Sequence, residues 1–491
     1  MEIYDLIETL LEYGLDKKLF VKEDKVYIAN RVIDFLGLDE YRPGQVLDLS
    51  LEQLVEAFDD LAVEKGLIND TITERDLYDT ELMTILLDRP SHITNKFFEI
   101  YKENKEAATD YFYQTNIDSN YVRKYRVDRD LKWKTDSEYG LIDITINLSK
   151  PEKDPRDIAR QKDMPKSNYP ICLLCKENEG YKGRLNHPAR GNIRLIPLEL
   201  QGAPFFLQYS PYSYYNEHCI VLSAEHKPMV IDKATIAKLL DFVSFLPHYF
   251  VGSNADLPIV GGSILAHEHF QGGHYRFAMV DAKSIYDFEV PGFNAKAHLL
   301  KWPLSVIRIN GNDKEELVRL ADHILQKWIP YSDEEVNIVA YTDDTRHNTI
   351  TPIARINDNG EYELDLVLRN NRTSDAYPLG IFHPHAEYHH IKKENIGLIE
   401  VMGLAVLPSR LKSELVLLKY YILDGIENDA IVKHYEWVEE LKTRYTFTEE
   451  NVDEILRKEI GLTFAKILEN AGVYKQDEKG IEHFKKFVKT L

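Results

Sequence analysis

The 491-residue sequence contains only three cysteines, Cys172, Cys175 and Cys219. So odd and sparse a set cannot build a disulfide framework, which excludes the small disulfide-stapled folds and fits a reducing cytoplasm. No stretch approaches the roughly 20 apolar residues of a membrane-spanning helix, so no membrane partner is expected. A signal peptide is not expected either, because the opening Met-Glu-Ile-Tyr-Asp-Leu-Ile-Glu is acidic where such a peptide needs basic residues. Positive charge is in short supply throughout. Lys and Arg number 60 against 81 Asp and Glu, a formal net charge of −21, which argues against nucleic-acid and anionic-membrane binding. Low-complexity segments and short-period repeats are absent as well.

What remains is a globular chain with 44% hydrophobic residues, enough for two or three domains. Residues 1–125 read as an N-terminal helical region: Leu51, Leu54, Val55, Phe58, Leu61 and Ala62 follow the three-four spacing of one helix face after a Ser50 cap. From 126 to 300 the period shortens, with Ile142, Ile144 and Ile146 alternating against Asp143, Thr145 and Asn147, so strands dominate. One helix, from about Asp232 to Tyr249, interrupts them. A similar order recurs over 301–491, with a helix at Glu315 to Trp328, strands at Val336 to Tyr341 and Glu361 to Arg369, a histidine-rich stretch at His383 to His390, and a charged helical tail. In that tail Ile455, Ile460, Phe464 and Ile467 are the expected core contacts. The expectation is an α+β fold with antiparallel sheets flanked by helices and two related halves, the catalytic one at 126–300.

Residues 261–273 carry the chemistry. Gly-Gly-Ser-Ile-Leu-Ala-His-Glu-His-Phe-Gln-Gly-Gly places His267, His269 and Gln271 at two-residue spacing between paired glycines. In an extended segment the three project to one face while Glu268 and Phe270 point the other way. Ordinary buried histidines are the bland alternative, but a core strand would show Val, Ile or Phe on its inner face. Glycine at both ends would let backbone approach a ligand closely.

Cys172-Leu-Leu-Cys175 brings two thiols to one side of a turn, half of a tetrahedral zinc site unless the pair is simply two small apolar residues. His226, after the strand-like run from Cys219, and His267 are spaced to supply two imidazoles and close a structural site. Catalysis then falls to His269. A neutral imidazole attacks phosphorus and can divide a phosphoryl exchange into two steps. Gln271 can donate to a phosphate oxygen but cannot give up a proton, so the leaving group must depart unaided, as a phosphate does. Nucleotidyl transfer between phosphates is favoured over hydrolysis. Basic side chains for such a substrate are offered by Lys150, Lys153, Arg190, Arg194, Arg369 and Arg372.

Five stretches together resemble a galactose-1-phosphate uridylyltransferase of the class II type found in Gram-positive bacteria. They are Ile144-Thr-Ile-Asn-Leu-Ser-Lys-Pro-Glu-Lys-Asp-Pro155, Tyr169-Pro-Ile-Cys-Leu-Leu-Cys175, Tyr214-Tyr-Asn-Glu-His-Cys219, Gly261 to Gly273, and His389-His-Ile-Lys-Lys-Glu-Asn-Ile-Gly397. The resemblance implies two histidine-triad-like halves, the third histidine of the hydrolases being replaced by Gln271. It implies ping-pong exchange in galactose metabolism: His269 takes the uridylyl group from UDP-glucose, glucose 1-phosphate leaves, and galactose 1-phosphate accepts the group to give UDP-galactose. By the same resemblance Gln271 would hold the α-phosphate with Ser263 nearby, and Lys150 or Lys153 would stand where the better-known class carries phosphate-binding arginines, unless both are solvated turn lysines. Cys172, Cys175, His226 and His267 fall where that class binds zinc, and a homodimer is implied.

Two departures from that class stand out. Glu268 replaces a proline between the two histidines, and Ser263 lies one residue further from the first histidine. A second metal site near His383–His390 is left open among His383, His385, Glu387, His389 and His390, against an aromatic and histidine-rich wall beside the uridine or sugar. Alternative activities are a dinucleoside-polyphosphate phosphorylase, which resembles the chain in the same His-x-His-x-Gln motif, and a noncatalytic zinc-stabilised nucleotide-binding protein.

Overall fold

The computed structural model describes residues 2–491 except 150–154, 163, 165, 166 and 263. The chain forms two compact units, Met1–Arg129 with Ser149–Lys227, and Asp130–Leu148 with Pro228–Leu491. Both mix helices with mainly antiparallel strands, so the architecture is α+β. No helix among the described residues is long and apolar enough to cross a membrane.

The first unit opens with helices Ile3–Asp16, Lys25–Leu36, Leu51–Glu64, Ile72–Leu86, Pro90–Glu103 and Lys105–Asp118. Ser50 caps the third through a reciprocal pair: its Oγ accepts the Gln53 amide at 3.2 Å, and Gln53 Oε1 accepts the Ser50 amide at 3.0 Å. The predicted face of that helix buries Leu54, Val55, Phe58 and Ala62. Each fully buried large side chain contributes about 1.5–3 kcal/mol of transfer free energy. Later in the unit, strands Ile196–Leu200, Ala203–Tyr209 and Cys219–Ser223 pair antiparallel. Tyr209 ties them to the helices, donating from its hydroxyl to Thr109 O at 3.1 Å.

In the second unit seven strands lie side by side in the order His269–Gly273, Phe250–Gly252, Asn348–Ile356, Tyr362–Asn370, Val306–Gly311, Lys296–Leu300 and Ser284–Phe288. Every pairing between them is antiparallel. Helices Lys233–Phe245 and Lys314–Trp328 pack on this sheet, each begun by an aspartate whose carboxylate accepts an amide of the first turn, Asp232 from Thr235 and Asp313 from Glu316. A smaller sheet of Leu131–Ser137, Gly140–Ile146 and Leu404–Leu407 is covered by helix Val452–Ala471. The approach there is close: a Cβ on Gly461 would sit 2.1 Å from Thr135 Oγ1. In that helix Ile460, Phe464 and Ile467 are buried as expected, and Ile455 is half-buried.

One local expectation fails and one strand was not expected, each for a physical reason. Val336 to Tyr341 is not a strand: a 3₁₀ turn, Glu334–Val336, leads into Asn337 at φ 63, and Asp333 and Ile338 exchange backbone hydrogen bonds across it. The unpredicted strand Asn348–Ile356 contains Pro352, which lacks an amide hydrogen and so masks a strand in the sequence. Its carbonyl still accepts the Ser253 amide at 3.0 Å. Alternation was also an incomplete guide in Gly140–Ile146, where Asp143 and Thr145 are buried along with the isoleucines. Asp143 is compensated by Tyr275, whose hydroxyl donates to it at 3.0 Å.

Deep in the larger sheet, Asp365 has no exposed surface and lies opposite Arg308 on the neighbouring strand. Arg308 donates to both its oxygens, at 2.7 and 3.0 Å, and Arg355 adds another bond while reaching Glu363 at 2.8 Å. Burial alone would raise the Asp365 pKa, but the two guanidiniums outweigh it and hold the carboxyl below its usual range. Its stabilisation is therefore present above the unfolded carboxylate pKa of about 3.9 and lost as pH falls through the lower folded value. Asp365→Asn should lower unfolding free energy by about 3–5 kcal/mol at pH 7, because it leaves two buried cations short of a partner. Denaturant titration at pH 7 and in acid checks this; an unchanged midpoint at pH 7 would refute the role.

Candidate active site and metal ligands

Strand His269–Gly273 pairs with Phe250–Gly252, which puts Gln271 opposite Gly252. His267 lies two residues before it in a bend, so the extended alternation expected from His267 onward starts only at His269. The His269 ring turns back on its own chain, with Nδ1 2.7 Å from the carbonyl oxygen of His267. A carbonyl can only accept, so Nδ1 carries the hydrogen and Nε2 keeps its lone pair. Burial, joined by the His267 ring and only partly opposed by that hydrogen bond, brings His269 down to about 4. At neutral pH the ring is an uncharged base with one defined nucleophilic nitrogen.

Glu268 lies between the two histidines in the chain. Its carboxylate meets Lys238 Nζ at 2.5 Å, with both side chains almost fully buried. Lys238 comes from helix Lys233–Phe245, so Glu268 pins the segment between the histidines to that helix. Gly261 and Gly262 are crowded by their own chain. A Cβ on Gly261 would lie 2.3 Å from Ala255 O, and one on Gly262 would lie 2.7 Å from Asn254 Nδ2. Asn254 in turn accepts the Leu398 amide at 2.9 Å through Oδ1.

In the first unit Cys172, Cys175 and His226 gather ligand atoms that lie within 4.8 Å of one another. The two sulfurs are 3.6 Å apart, and Cys175 Sγ is 3.3 Å from His226 Nδ1. Asn178 clamps the turn by donating from Nδ2 to the carbonyls of Cys172 at 3.0 Å and Cys175 at 2.7 Å. His187 holds the other end of that amide, with Nε2 2.7 Å from Asn178 Oδ1, and burial with the Arg184 and Arg190 charges brings it down to about 4. Burial pushes the Cys175 thiol up to about 11, so only a nearby cation would favour its thiolate. Two sulfurs and an imidazole nitrogen gathered this closely could hold a metal ion. His267, the other imidazole expected there, is a buried residue of the second unit.

The basic candidates separate. Lys150, Lys153 and Ser263 lie outside the described residues. Arg190 is buried in the first unit, reaching Leu173 O at 3.4 Å from Nη1. Arg369 is 1% exposed and donates from Nη2 to Ile396 O at 2.9 Å, and burial brings its guanidinium down to about 10. Arg194 bonds Asp88 O, and Arg372 bonds Asn337 O.

The histidine-rich stretch is occupied by its own chain. His385 Nε2 stands 3.1 Å from Ile381 O, His389 Nε2 2.9 Å from Pro384 O, and His390 Nδ1 2.9 Å from Glu387 O, while His383 Nε2 meets Asn395 Oδ1 at 3.1 Å. Among the described residues these side chains form no group of three metal ligands. Sequence reading missed Asn178, His187 and Lys238. Asn178 and His187 follow the cysteine turn closely enough to have been suspected, whereas Lys238 shows its role only once helix and strand are docked.

Family models match both parts of the chain: Galactose-1-phosphate uridyl transferase, N-terminal domain, over residues 18–228, and the C-terminal domain of the same enzyme over residues 243–439. The galactose-1-phosphate uridylyltransferase of Clostridium acetobutylicum is 52% identical over 497 residues, covering 99% of each chain. That of Bacillus subtilis is 48% identical over 509 residues, covering 100% of this chain and 98% of its own. Among solved structures, yeast Ap4A phosphorylase Apa2 in complex with Ap4A aligns with 63% of this chain and 94% of its own, at 12% identity and a TM-score of 0.36. The two domain matches and the full-length identities place this chain in the galactose-1-phosphate uridylyltransferase family.

Proposed function

We propose that the protein is a nucleotidyltransferase that moves the uridylyl group of UDP-glucose to galactose 1-phosphate through His269. The observation that carries this reading is the bond from Nδ1 to the His267 carbonyl, which leaves Nε2 of a neutral, buried imidazole as nucleophile. Nε2 forms a bond to the α-phosphorus as the bond to the bridging oxygen breaks, and glucose 1-phosphate departs as a weakly basic phosphate that needs no proton. Galactose 1-phosphate then attacks the same phosphorus, gives UDP-galactose and returns the lone pair to Nε2. Gln271, two residues along the strand, donates its amide hydrogens to the nonbridging oxygens without offering a proton.

Cys172, Cys175 and His226, completed by His267, are the proposed ligands of a structural zinc ion. When bound, the ion supplies charge that holds the thiolates and fixes the backbone two residues before His269. Arg190 and Arg369 are proposed for substrate charge, together with Lys150, Lys153 and Ser263. Family membership and the sparse cysteines support a cytoplasmic enzyme of galactose metabolism, active as a homodimer, with its transfer chemistry in residues 126–300.

Incubation with uridine-labelled UDP-glucose should release glucose 1-phosphate and leave an acid-labile label on the protein. His269→Ala should reduce that labelling by about 10³-fold or more, the scale expected on removing a nucleophile; undiminished labelling would exclude His269. Gln271→Ala should retain labelling at a rate lower by about 10²-fold. Offering inorganic phosphate against galactose 1-phosphate as acceptor separates a phosphorylase from a hexose 1-phosphate transferase. Chelation should remove metal and lower the melting temperature, and Asn178→Ala should weaken metal affinity by about 10–100-fold because it releases the cysteine turn. A metal-free protein that stays folded and fully active would end the zinc proposal.

A further inference from the structure

One cavity of the first unit, of about 120 Å³, is lined by Asn120, Tyr121, Arg123, Arg190, Asn192 and Tyr212, among others. Its wall concentrates unmet hydrogen-bonding capacity. Asn120 Nδ2 and Oδ1, the Tyr121 hydroxyl and Arg190 Nε are all buried without a hydrogen-bond partner. These residues are 1%, 4% and 7% exposed in the same order. A buried polar group left unpaired is costly and calls for an explanation, and several on one cavity wall point to a guest that satisfies them together.

The chemistry of the guest follows from what each group lacks. Arg123 and Arg126 also border the cavity, but Arg123 donates to both oxygens of Asp79 and Arg126 to both oxygens of Asp76. Arg190 has no such partner among the described residues. Its guanidinium reaches Leu173 O only at 3.4 Å and otherwise lies beside the Tyr121 hydroxyl. An anionic oxygen is what it can still accept as a partner. Asn120 lacks both a donor and an acceptor, which a bare anion cannot supply but a hydroxyl can, since each hydroxyl both donates and accepts. Burial pushes the Tyr121 phenol up to about 12 despite the Arg190 charge, so its hydroxyl stays neutral and serves in either sense. Asn192 is already committed, donating to Ser119 O at 2.9 Å.

We propose that this cavity is a sugar-phosphate subsite, in which Arg190 takes the phosphate and Asn120 and Tyr121 take adjacent hydroxyls of a hexose 1-phosphate. The assignment rests on the transferase reading for the identity of the sugar phosphate, and it adds Asn120 and Tyr121 as specificity-determining residues. Asn120 suits the position for a second reason. Its φ of 62 lies in the left-handed region, which asparagine tolerates better than most side chains.

The test uses the full-length protein and three probes, galactose 1-phosphate, galactose alone and inorganic phosphate alone, read by thermal shift and by steady-state kinetics. Galactose 1-phosphate should raise the melting temperature at concentrations where neither fragment does. Tyr121→Phe, Asn120→Asp and Arg190→Gln should each lose most of that shift and raise KM for galactose 1-phosphate by about tenfold or more, with a smaller effect on kcat. Arg190→Lys should recover part of the loss. Without ligand, Tyr121→Phe should be as stable as the unaltered protein or more so, because it removes an unpaired hydroxyl. A less stable Tyr121→Phe with unchanged KM would show that water fills the cavity and would overturn the proposal. A full shift from inorganic phosphate alone would overturn it in favour of a simple anion site. Protein that forms the uridylyl intermediate yet shows no shift with galactose 1-phosphate would sink the subsite and leave the transfer reading standing. A retained shift without labelling would do the reverse.

Discussion

The hydrogen bond from His269 Nδ1 to the carbonyl of His267 is the constraint on which the proposed chemistry of this protein depends. It decides which nitrogen is nucleophilic and in which direction it faces, and it does so with backbone, which side-chain motion cannot withdraw. That backbone is itself held. Glu268, between the two histidines, is drawn to Lys238 of helix Lys233–Phe245, and the helix is seated on the sheet and capped by Asp232. A residue with no evident role in the sequence thus becomes the anchor of the segment proposed for catalysis.

Burial gives the same segment its reactivity. Excluding water from His269 favours its uncharged form, the form with a lone pair to offer. Burial has the opposite practical effect on Cys175, whose thiol is driven toward protonation until a cation compensates. One physical effect therefore leaves an imidazole with a free lone pair and a thiol that only a neighbouring cation would ionise. In the larger sheet Asp365 shows how the protein meets such costs elsewhere, with Arg308 and Arg355 converging on one carboxylate.

The acidic composition of the chain and an anionic substrate are reconciled by the same local logic. A net charge of −21 describes the whole sequence, whereas recognition depends on a few cations left unneutralised in particular places. Arg123 and Arg126 are paired with aspartates, and Arg369 is enclosed by strand and loop. Arg190 differs from Arg123 and Arg126 because no carboxylate among the described residues answers it.

Much of this was legible in the sequence, because short-range rules fix it. The Ser50 capping box, the helices that begin after Asp232 and Asp313, and the Cys172-x-x-Cys175 turn depend on neighbours a few residues apart. The histidine and glutamine spacing at 267, 269 and 271 is equally local, although the extended run begins only at His269. Tertiary structure decided the rest. The strand around Pro352 exists because neighbouring strands satisfy it, and Gly261 and Gly262 are small because Ala255 and Asn254 press on them. Glu268 acquires Lys238, and Asn120, Tyr121 and Arg190 acquire a shared cavity, only when residues 30 or about 70 positions apart are brought together. Sequence spacing encodes local geometry, but which distant groups satisfy one another is settled by packing.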